Sequence, residues 1–74
     1  MTRLSVLSAK KLIKILESVG FRVMRQRGSH AILKHADGRV TVIPIHRGED
    51  LGRGLLRKIL RDVKMEPEDL LKLL

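Results

Sequence analysis

The sequence predicts an α+β domain in which two helices pack on one face of a three-stranded antiparallel sheet. Apolar residues recur at helical spacing near both ends of the chain, and three short segments of β type lie between them. The last two of these segments flank an Asp-Gly pair, which is a strong hairpin signal. A small sheet buries its apolar face most economically under two helices and leaves its other face bare. The 74 residues suffice for a single domain, residues 1–74, with one thin core.

The first helix is predicted over residues 8–19. Ser8 is suited to cap its N-terminus, and Gly20 stands where a glycine commonly ends a helix. The apolar residues between them recur on one side of the helix, at Leu12, Ile13, Leu16 and Val19.

Three strands are predicted over residues 21–26, 30–35 and 39–46. Because proline cannot donate to a sheet ladder, the third strand is predicted either to lie at the edge of the sheet or to end near Pro44. We expect Asp37-Gly38 to form a two-residue type I′ turn between the second and third strands. We expect a three-residue loop, Arg27 to Ser29, between the first and second.

These two loop lengths fix which side chains share a face of the sheet. The face toward the helices is then predicted to carry Phe21, Val23, Ala31, Leu33, Val40 and Val42. The other face is predicted to carry Arg22, Met24, Gln26, His30, Ile32, Lys34, Thr41 and Ile43. It is a mixed basic surface that is open to solvent or to a partner.

A second helix is predicted over residues 54–63, after a loop over residues 46–54. A short third helix is predicted to begin at Pro67, which follows Glu66 and precedes further acidic residues. The resulting order is helix, three strands, helix and a small terminal helix.

The charge indicates a polyanion or an acidic protein as partner. Sixteen Lys and Arg against eight Asp and Glu give a net charge of +8, and the basic residues are scattered among apolar ones in the manner of a folded surface. Phe21 is the single aromatic residue, which argues against RNA binding by stacking of bases on aromatic side chains. The absence of cysteine and of any run of about 18 apolar residues favours a cytoplasmic protein without a membrane span.

Of the three histidines, His30 is the candidate catalyst, since it is predicted to lie on the open face beside Gln26 and Lys34. A neutral imidazole among cations can take the proton of an RNA 2′-hydroxyl, while the cations hold the phosphate and stabilise the transition state. Such a reaction needs no metal and no other cofactor, and the histidine spacing matches no compact metal motif. The alternative is that His30 is an ordinary surface histidine and that Gly28 and Ser29 are ordinary turn residues.

The residues expected to bind RNA surround His30, and they are Arg22, Arg25, Gln26, Arg27 and Lys34. His35 is expected to be a partly buried, hydrogen-bonded residue at the edge of the sheet. The sequence leaves the role of His46 open. The basic residues of the second helix could bind phosphate or could form the solvated side of that helix.

The order of these motifs resembles that of the HicA (YcfA-like) toxins of toxin-antitoxin pairs. The resemblance covers nearly the whole chain and rests on LIKILESVGF, the Gly28-Ser29-His30 motif, KHADGRVTVIPIH, and LLRKIL followed by a short helix. The chain departs from similar proteins before the second helix, where Gly52-Arg53-Gly54 replaces a Pro-containing segment.

The resemblance implies a fold like that of a double-stranded-RNA-binding domain and the activity of an mRNA interferase, an endoribonuclease that acts on mRNA. It assigns the catalytic role to His30, with Gly28 and Ser29 as supporting motif residues. It also implies a HicB-type antitoxin that covers His30 and its basic surroundings, so that we expect a monomer when free and a hetero-oligomer with the antitoxin. Two alternatives stay open: a non-catalytic double-stranded-RNA-binding module, and a protein whose basic face serves mainly to bind an acidic partner.

Overall fold

The computed structural model describes residues 7–46 and 50–74, and it confirms the predicted α+β class. Three antiparallel strands form one sheet in the order β1-β2-β3, and the helices pack on it. The elements are α1 (Ala9–Ser18), β1 (Phe21–Arg27), β2 (His30–His35), β3 (Val40–Pro44), α2 (Arg53–Asp62) and α3 (Pro67–Leu73).

The helix ends agree with the local sequence signals. The Ser8 hydroxyl accepts a hydrogen bond of 3.2 Å from the Lys11 amide at the start of α1, and Gly20 follows that helix at a φ of +102°. At α3, Glu66 and Asp69 form a capping box around the first turn, and Pro67 occupies the first helical position.

The core lies between the helices and one face of the sheet. α1 packs against β1, and α2 packs against β3. The largest buried side chains are Leu12 and Leu16 from α1, Phe21, Leu33 and Ile43 from the sheet, Leu56 and Ile59 from α2, Val63, and Leu70 from α3. The chain before α1 is tied to the chain before α2, because the Leu51 amide donates to the Leu7 carbonyl at 2.7 Å. The predicted loop between β3 and α2 falls partly on residues 47–49, which lie outside the described residues.

The hairpin between β2 and β3 differs from the prediction, since its loop has three residues, Ala36 to Gly38. The His35 amide donates to the Arg39 carbonyl at 2.8 Å, and the Gly38 amide donates to the His35 carbonyl at 2.9 Å. Gly38 has a φ of +100°, which fits the left-handed last position of a three-residue hairpin loop. The prediction of a two-residue turn at Asp37-Gly38 was therefore wrong in its length, although the chain does reverse at these residues, as expected.

This extra loop residue reverses the two faces of β3, because a register shift of one residue turns every side chain to the other side. Thr41 and Ile43, expected on the open face, are buried, at 2% and 0% exposure. Val40 and Val42, expected in the core, are 44% and 38% exposed.

The hairpin between β1 and β2 also differs from the prediction. Its loop has two residues, Gly28 and Ser29, with Gly28 at a φ of +56°, as a type II′ turn requires at its first central position. A β-bulge at Met24 compensates, because the pairing steps from Val23 opposite Leu33 directly to Arg25 opposite Ile32. Val23 and Leu33 lie on the same face of the sheet, as predicted, while the side chains of β1 beyond the bulge face the opposite way from the prediction.

Candidate nucleic-acid interface

The face of the sheet that points away from the helices, here called the open face, combines basic and aliphatic side chains. Directly paired residues share a face, so the register defines three rows across the sheet. The rows are Arg27, His30 and Pro44; Arg25, Ile32 and Val42; and Arg22, Lys34 and Val40.

His30 begins β2, the central strand, next to the Gly28-Ser29 turn. Its backbone neighbours across the sheet are Arg27 on one side and Pro44 on the other. The imidazole is exposed, and within the described residues no side chain forms a hydrogen bond with it. Both ring nitrogens are thus accessible to a bound molecule.

Four cations share the open face with His30: Arg22, Arg25, Arg27 and Lys34. All four are exposed, and among residues 7–46 and 50–74 none of them lies in an ion pair with a carboxylate. Directly opposite residues have Cβ atoms about 5 Å apart, so the side chains of Arg27 and His30 leave the sheet next to each other on the same face. The rows therefore form a positive surface with His30 at its turn end.

Gly28 and Ser29 shape the turn at this end of the sheet. The positive φ of Gly28 lets the chain reverse within two residues, which brings His30 opposite Arg27. The Ser29 carbonyl accepts a hydrogen bond from the Ile45 amide, so the turn is also tied to the end of β3. This position supports a role for both residues in fixing the geometry around His30.

Gln26 does not share the open face with the other residues expected to bind RNA. It pairs with Ala31, which is buried, and its side chain lies on the helix side of the sheet, where it lines a groove beside α1. The bulge at Met24 causes this difference, since it turns Arg25 and Arg27 outward and Gln26 inward.

His35 is a structural histidine, as expected. Its Nε2 donates to the Val19 carbonyl at 3.1 Å, and its Nδ1 accepts from the Asp37 amide at 3.1 Å. The ring also meets Phe21 edge-on, with ring centroids 5.0 Å apart. These contacts join the end of α1 to the β2–β3 turn and hold the neutral ring in one tautomer. The Asp37 carboxylate also lies 3.1 Å from Nδ1, and it can accept a hydrogen bond from that nitrogen when the ring is protonated.

The same turn is held by Asp37 and Arg39. The Arg39 amide donates to the Asp37 carboxylate, and together with the Arg39 guanidinium this bond holds the pKa of Asp37 below its usual value, although desolvation acts in the opposite direction. The guanidinium also donates to the Val63 carbonyl at 2.6 Å and lies 5.0 Å from the centre of the Phe21 ring. Arg39 therefore anchors the hairpin to the end of α2.

The remaining polar candidates from the sequence are His46 and the basic residues of α2, which lie outside the three rows of the open face. His46 is exposed just beyond β3. On α2, Lys58 pairs with Asp62 at 3.1 Å, and Asp62 also accepts from the buried hydroxyl of Thr41 at 3.0 Å. Asp62 thus attaches α2 to β3, and Lys58 pairs with the same carboxylate.

The described residues contain no group of three or more His, Cys, Asp or Glu side chains placed to hold a metal ion. Within the same residues, the helices are too short and too polar to cross a membrane.

Two aliphatic side chains of the open face, Val40 and Val42, were missed in the sequence because they were assigned to the core, whereas Ile32 lies on the open face as predicted. Val42 stands next to Ile32, which is half-buried, in the row that Arg25 begins. The Thr41 hydroxyl donates to the half-buried carboxylate of Asp62 in α2, which lets Thr41 face the helices in place of the two valines. A surface that mixes exposed valines with arginines suits contact with a macromolecule.

The arrangement can bind a phosphodiester and move a proton at it. Guanidinium groups can donate bidentate hydrogen bonds to phosphate oxygens, and an imidazole can act as a general acid or base. These are the parts needed to cleave RNA through its own 2′-hydroxyl.

A family model described as the HicA toxin of bacterial toxin-antitoxin systems matches residues 9–65, which is more than half of the 74-residue chain. No curated protein matches the chain.

Proposed function

Because this chain belongs to the HicA toxin family of bacterial toxin-antitoxin systems, we propose that it is an endoribonuclease that cleaves mRNA with His30 as its catalytic residue. The observation that carries the proposal is the row of Arg27 and His30 at the turn end of the open face, followed along the sheet by Arg25, Lys34 and Arg22. A histidine in this setting has phosphate-binding cations beside it and free access for a long substrate.

In the proposed reaction, His30 takes the proton of a 2′-hydroxyl. The 2′-oxygen attacks the adjacent phosphorus, and the bond from phosphorus to the 5′-oxygen breaks. The leaving 5′-oxygen takes a proton from solvent water, and His30 returns the proton that it holds to solvent. Arg27, opposite His30, stabilises the negative charge that grows on the phosphate oxygens. The products are a 2′,3′-cyclic phosphate and a free 5′-hydroxyl, and the step requires no metal and no other cofactor.

The other cations of the open face bind the strand on either side of the cut. Arg22, Arg25 and Lys34 are exposed at successive positions along the sheet. Each phosphate that they neutralise releases counterions, so binding should weaken as salt rises. This charge selects nucleic acid without reading its sequence, because phosphate contacts position the substrate and base contacts specify it.

The test is incubation of the purified chain with a long mRNA in excess EDTA, with mapping of the cut sites and of the end groups. We expect the wild type to cut and to leave 5′-hydroxyl ends, and we expect His30→Ala to bind the RNA without cutting it. His46→Ala is the matched control, since His46 is also exposed but lies outside the row of Arg27 and His30. Equal binding without cleavage by wild type and His30→Ala would instead indicate a non-catalytic RNA-binding module.

The partner proposed for this surface is a HicB-type antitoxin that covers His30. An acidic partner would pair with the cations of the open face, and its apolar side chains would cover Val40 and Val42, which are 44% and 38% exposed. Repeating the cleavage assay with the antitoxin added tests this partner, and the expected result is loss of cleavage. Complete retention of cleavage at saturating antitoxin would contradict it.

A further inference from the structure

A second concave surface lies on the helix side of the sheet, between α1 and the β1–β2 hairpin. It is a groove of about 460 Å³. Its helical wall is formed by Lys10, Ile13, Lys14 and Glu17, which follow one another at the spacing of a single helix face. The groove is distinct from the open face, which lies on the other side of the same hairpin.

The floor of the groove is aliphatic and incompletely covered. Val23 lies on the helix side of β1, yet 39% of its surface is exposed, because α1 does not extend over it. Ile13 and Ile45 are also only partly buried beside it, and Ala31 completes the floor. A small apolar floor with a few polar groups at its rim is the usual form of a ligand site.

Gln26 reaches this groove because of the bulge in β1. Regular alternation from Val23 would place Arg25 on the helix side and Gln26 on the open face. The additional residue, Met24, reverses both, so that Gln26 pairs with Ala31 and lines the groove. Bulges commonly re-aim a side chain near a functional site.

We propose that this groove binds one unpaired nucleotide of the RNA strand that His30 cleaves. The inference rests on the proposed function. The base would lie over the aliphatic floor, and the phosphate would be held by the ammonium groups of Lys10 and Lys14, both of which are exposed. The Gln26 amide offers a donor and an acceptor to the edge of the base, and the Glu17 carboxylate accepts from an exocyclic amino group.

The β1–β2 hairpin connects the groove to the row of Arg27 and His30. Gln26 and Ala31 are paired, and the next pair along the same ladder is Arg27 with His30. Adjacent pairs point to opposite faces of the sheet, so an RNA strand that passes over this end of the hairpin meets the groove on one side and His30 on the other. An acidic peptide fits less well, because Glu17 would repel its carboxylates and an extended peptide has no base edge for Gln26 to read.

The expected substrate is therefore RNA that is unpaired beside the cleavage site. A base inside a duplex is stacked and paired, and the deep major groove of A-form RNA hides its edges. A nucleotide can enter the groove only after it has left the stack, which costs least in a single strand.

The experiment measures RNA affinity in the His30→Ala background, which prevents cleavage. A short fluorescein-labelled single strand and the blunt duplex of the same sequence are titrated by fluorescence anisotropy. We expect the double variant Lys14→Ala, Gln26→Ala to bind the single strand about tenfold more weakly, with a much smaller change for the duplex. Lys72→Ala, which removes one exposed ammonium from α3 outside the groove, is the matched control and should leave both affinities close to those of the parent.

A second measurement locates the strand directly. A single strand that carries 4-thiouridine is cross-linked to the His30→Ala protein, and we expect the attached peptides to come from α1 and from β1. Thermal melting of each variant should match the parent, because Lys14 and Gln26 are exposed.

Each other outcome overturns the inference. Equal losses for single strand and duplex would reduce Lys14 to general surface charge. Unchanged RNA affinity with weaker binding of an acidic partner protein would make the groove a protein site. Unchanged affinity for both RNAs, with cleavage intact when His30 is restored, would reject the groove and leave the proposed nuclease standing. Absence of both RNA binding and RNA cleavage by the wild-type chain would reject the groove and the proposed nuclease together.

Discussion

Replacing Ile43 by alanine should destabilise the domain much more than replacing Val42, its neighbour in β3. Ile43 is fully buried, and each lost CH₂ group costs about 0.8 kcal/mol in transfer free energy. With the cavity that remains, Ile43→Ala should cost about 3–4 kcal/mol. Val42 is 38% exposed, so Val42→Ala should cost about 1 kcal/mol or less.

The assay is urea unfolding followed by far-ultraviolet circular dichroism, since the chain has no Trp or Tyr for fluorescence. A domain of this size has a free energy of unfolding of about 4–11 kcal/mol, so Ile43→Ala leaves a measurable transition in all but the weakest case. Ile43→Val removes one methylene and serves as the milder variant, with an expected cost of about 1 kcal/mol.

A two-residue turn at Asp37-Gly38 would bury Val42 and expose Ile43, so the two registers predict opposite orders for this pair. The three-residue loop is refuted if Val42→Ala lowers the free energy of unfolding as much as Ile43→Ala. Equal urea dependence of both variants is required for the comparison, since a changed slope would indicate a changed unfolded state.

Two further predictions concern the contacts that hold the β2–β3 turn. A Cβ at Gly20 would lie 2.7 Å from Nε2 of His35 at a backbone φ of +102°, so Gly20→Ala should cost about 2–4 kcal/mol through backbone strain and loss of the hydrogen bond from His35 to the Val19 carbonyl. Gly54→Ala in α2, where the space is open, is the control and should be neutral or stabilising. Similar melting temperatures for both variants would contradict the packing of His35 against Gly20. The pKa of Asp37 is lowered by the Arg39 amide and guanidinium, so its ionised form stabilises the fold above the ordinary value of 3.8, and this contribution is lost as the pH falls through the lower folded value. Thermal melts should therefore show Asp37→Asn to be less stable than wild type near neutral pH, with the gap closing in acid; a gap that is constant down to the acid limit would show that this carboxylate contributes nothing to the pH dependence.

The helices could be predicted from sequence because their signals are local. Ser8 caps its own helix through an amide three residues away, Gly20 adopts the left-handed conformation that ends it, and Pro67 starts the terminal helix. Each of these contacts joins residues a few positions apart, so no tertiary information is needed to foresee them.

The facing of β3 could not be predicted in the same way. The segment from Val40 to Ile43 is apolar or β-branched at every position, so its pattern allows either face to be buried. The choice depends on one residue of loop length and on Asp62 in α2, which lies 21 positions beyond Thr41 and makes the burial of that hydroxyl tolerable. The decisive partner is thus distant in sequence.

The position of His30 in the candidate site could be predicted from the sequence, but the facing of the β1 residues around it could not, because of the bulge at Met24. His30 faces outward whichever loop precedes it, because its facing follows from its alternation with the buried Ala31 and Leu33 within β2. The side chains of β1 beyond the bulge have no such guide, since alternation alone would turn Arg25 inward and Gln26 outward. A bulge costs ladder regularity, and nothing in the local sequence requires one at this position. Its structural effect is to place Arg25 and Arg27 on the same face as His30 and Gln26 on the opposite face of the hairpin. Met24, the position that the sequence pattern explains least, therefore determines the chemical character of both surfaces.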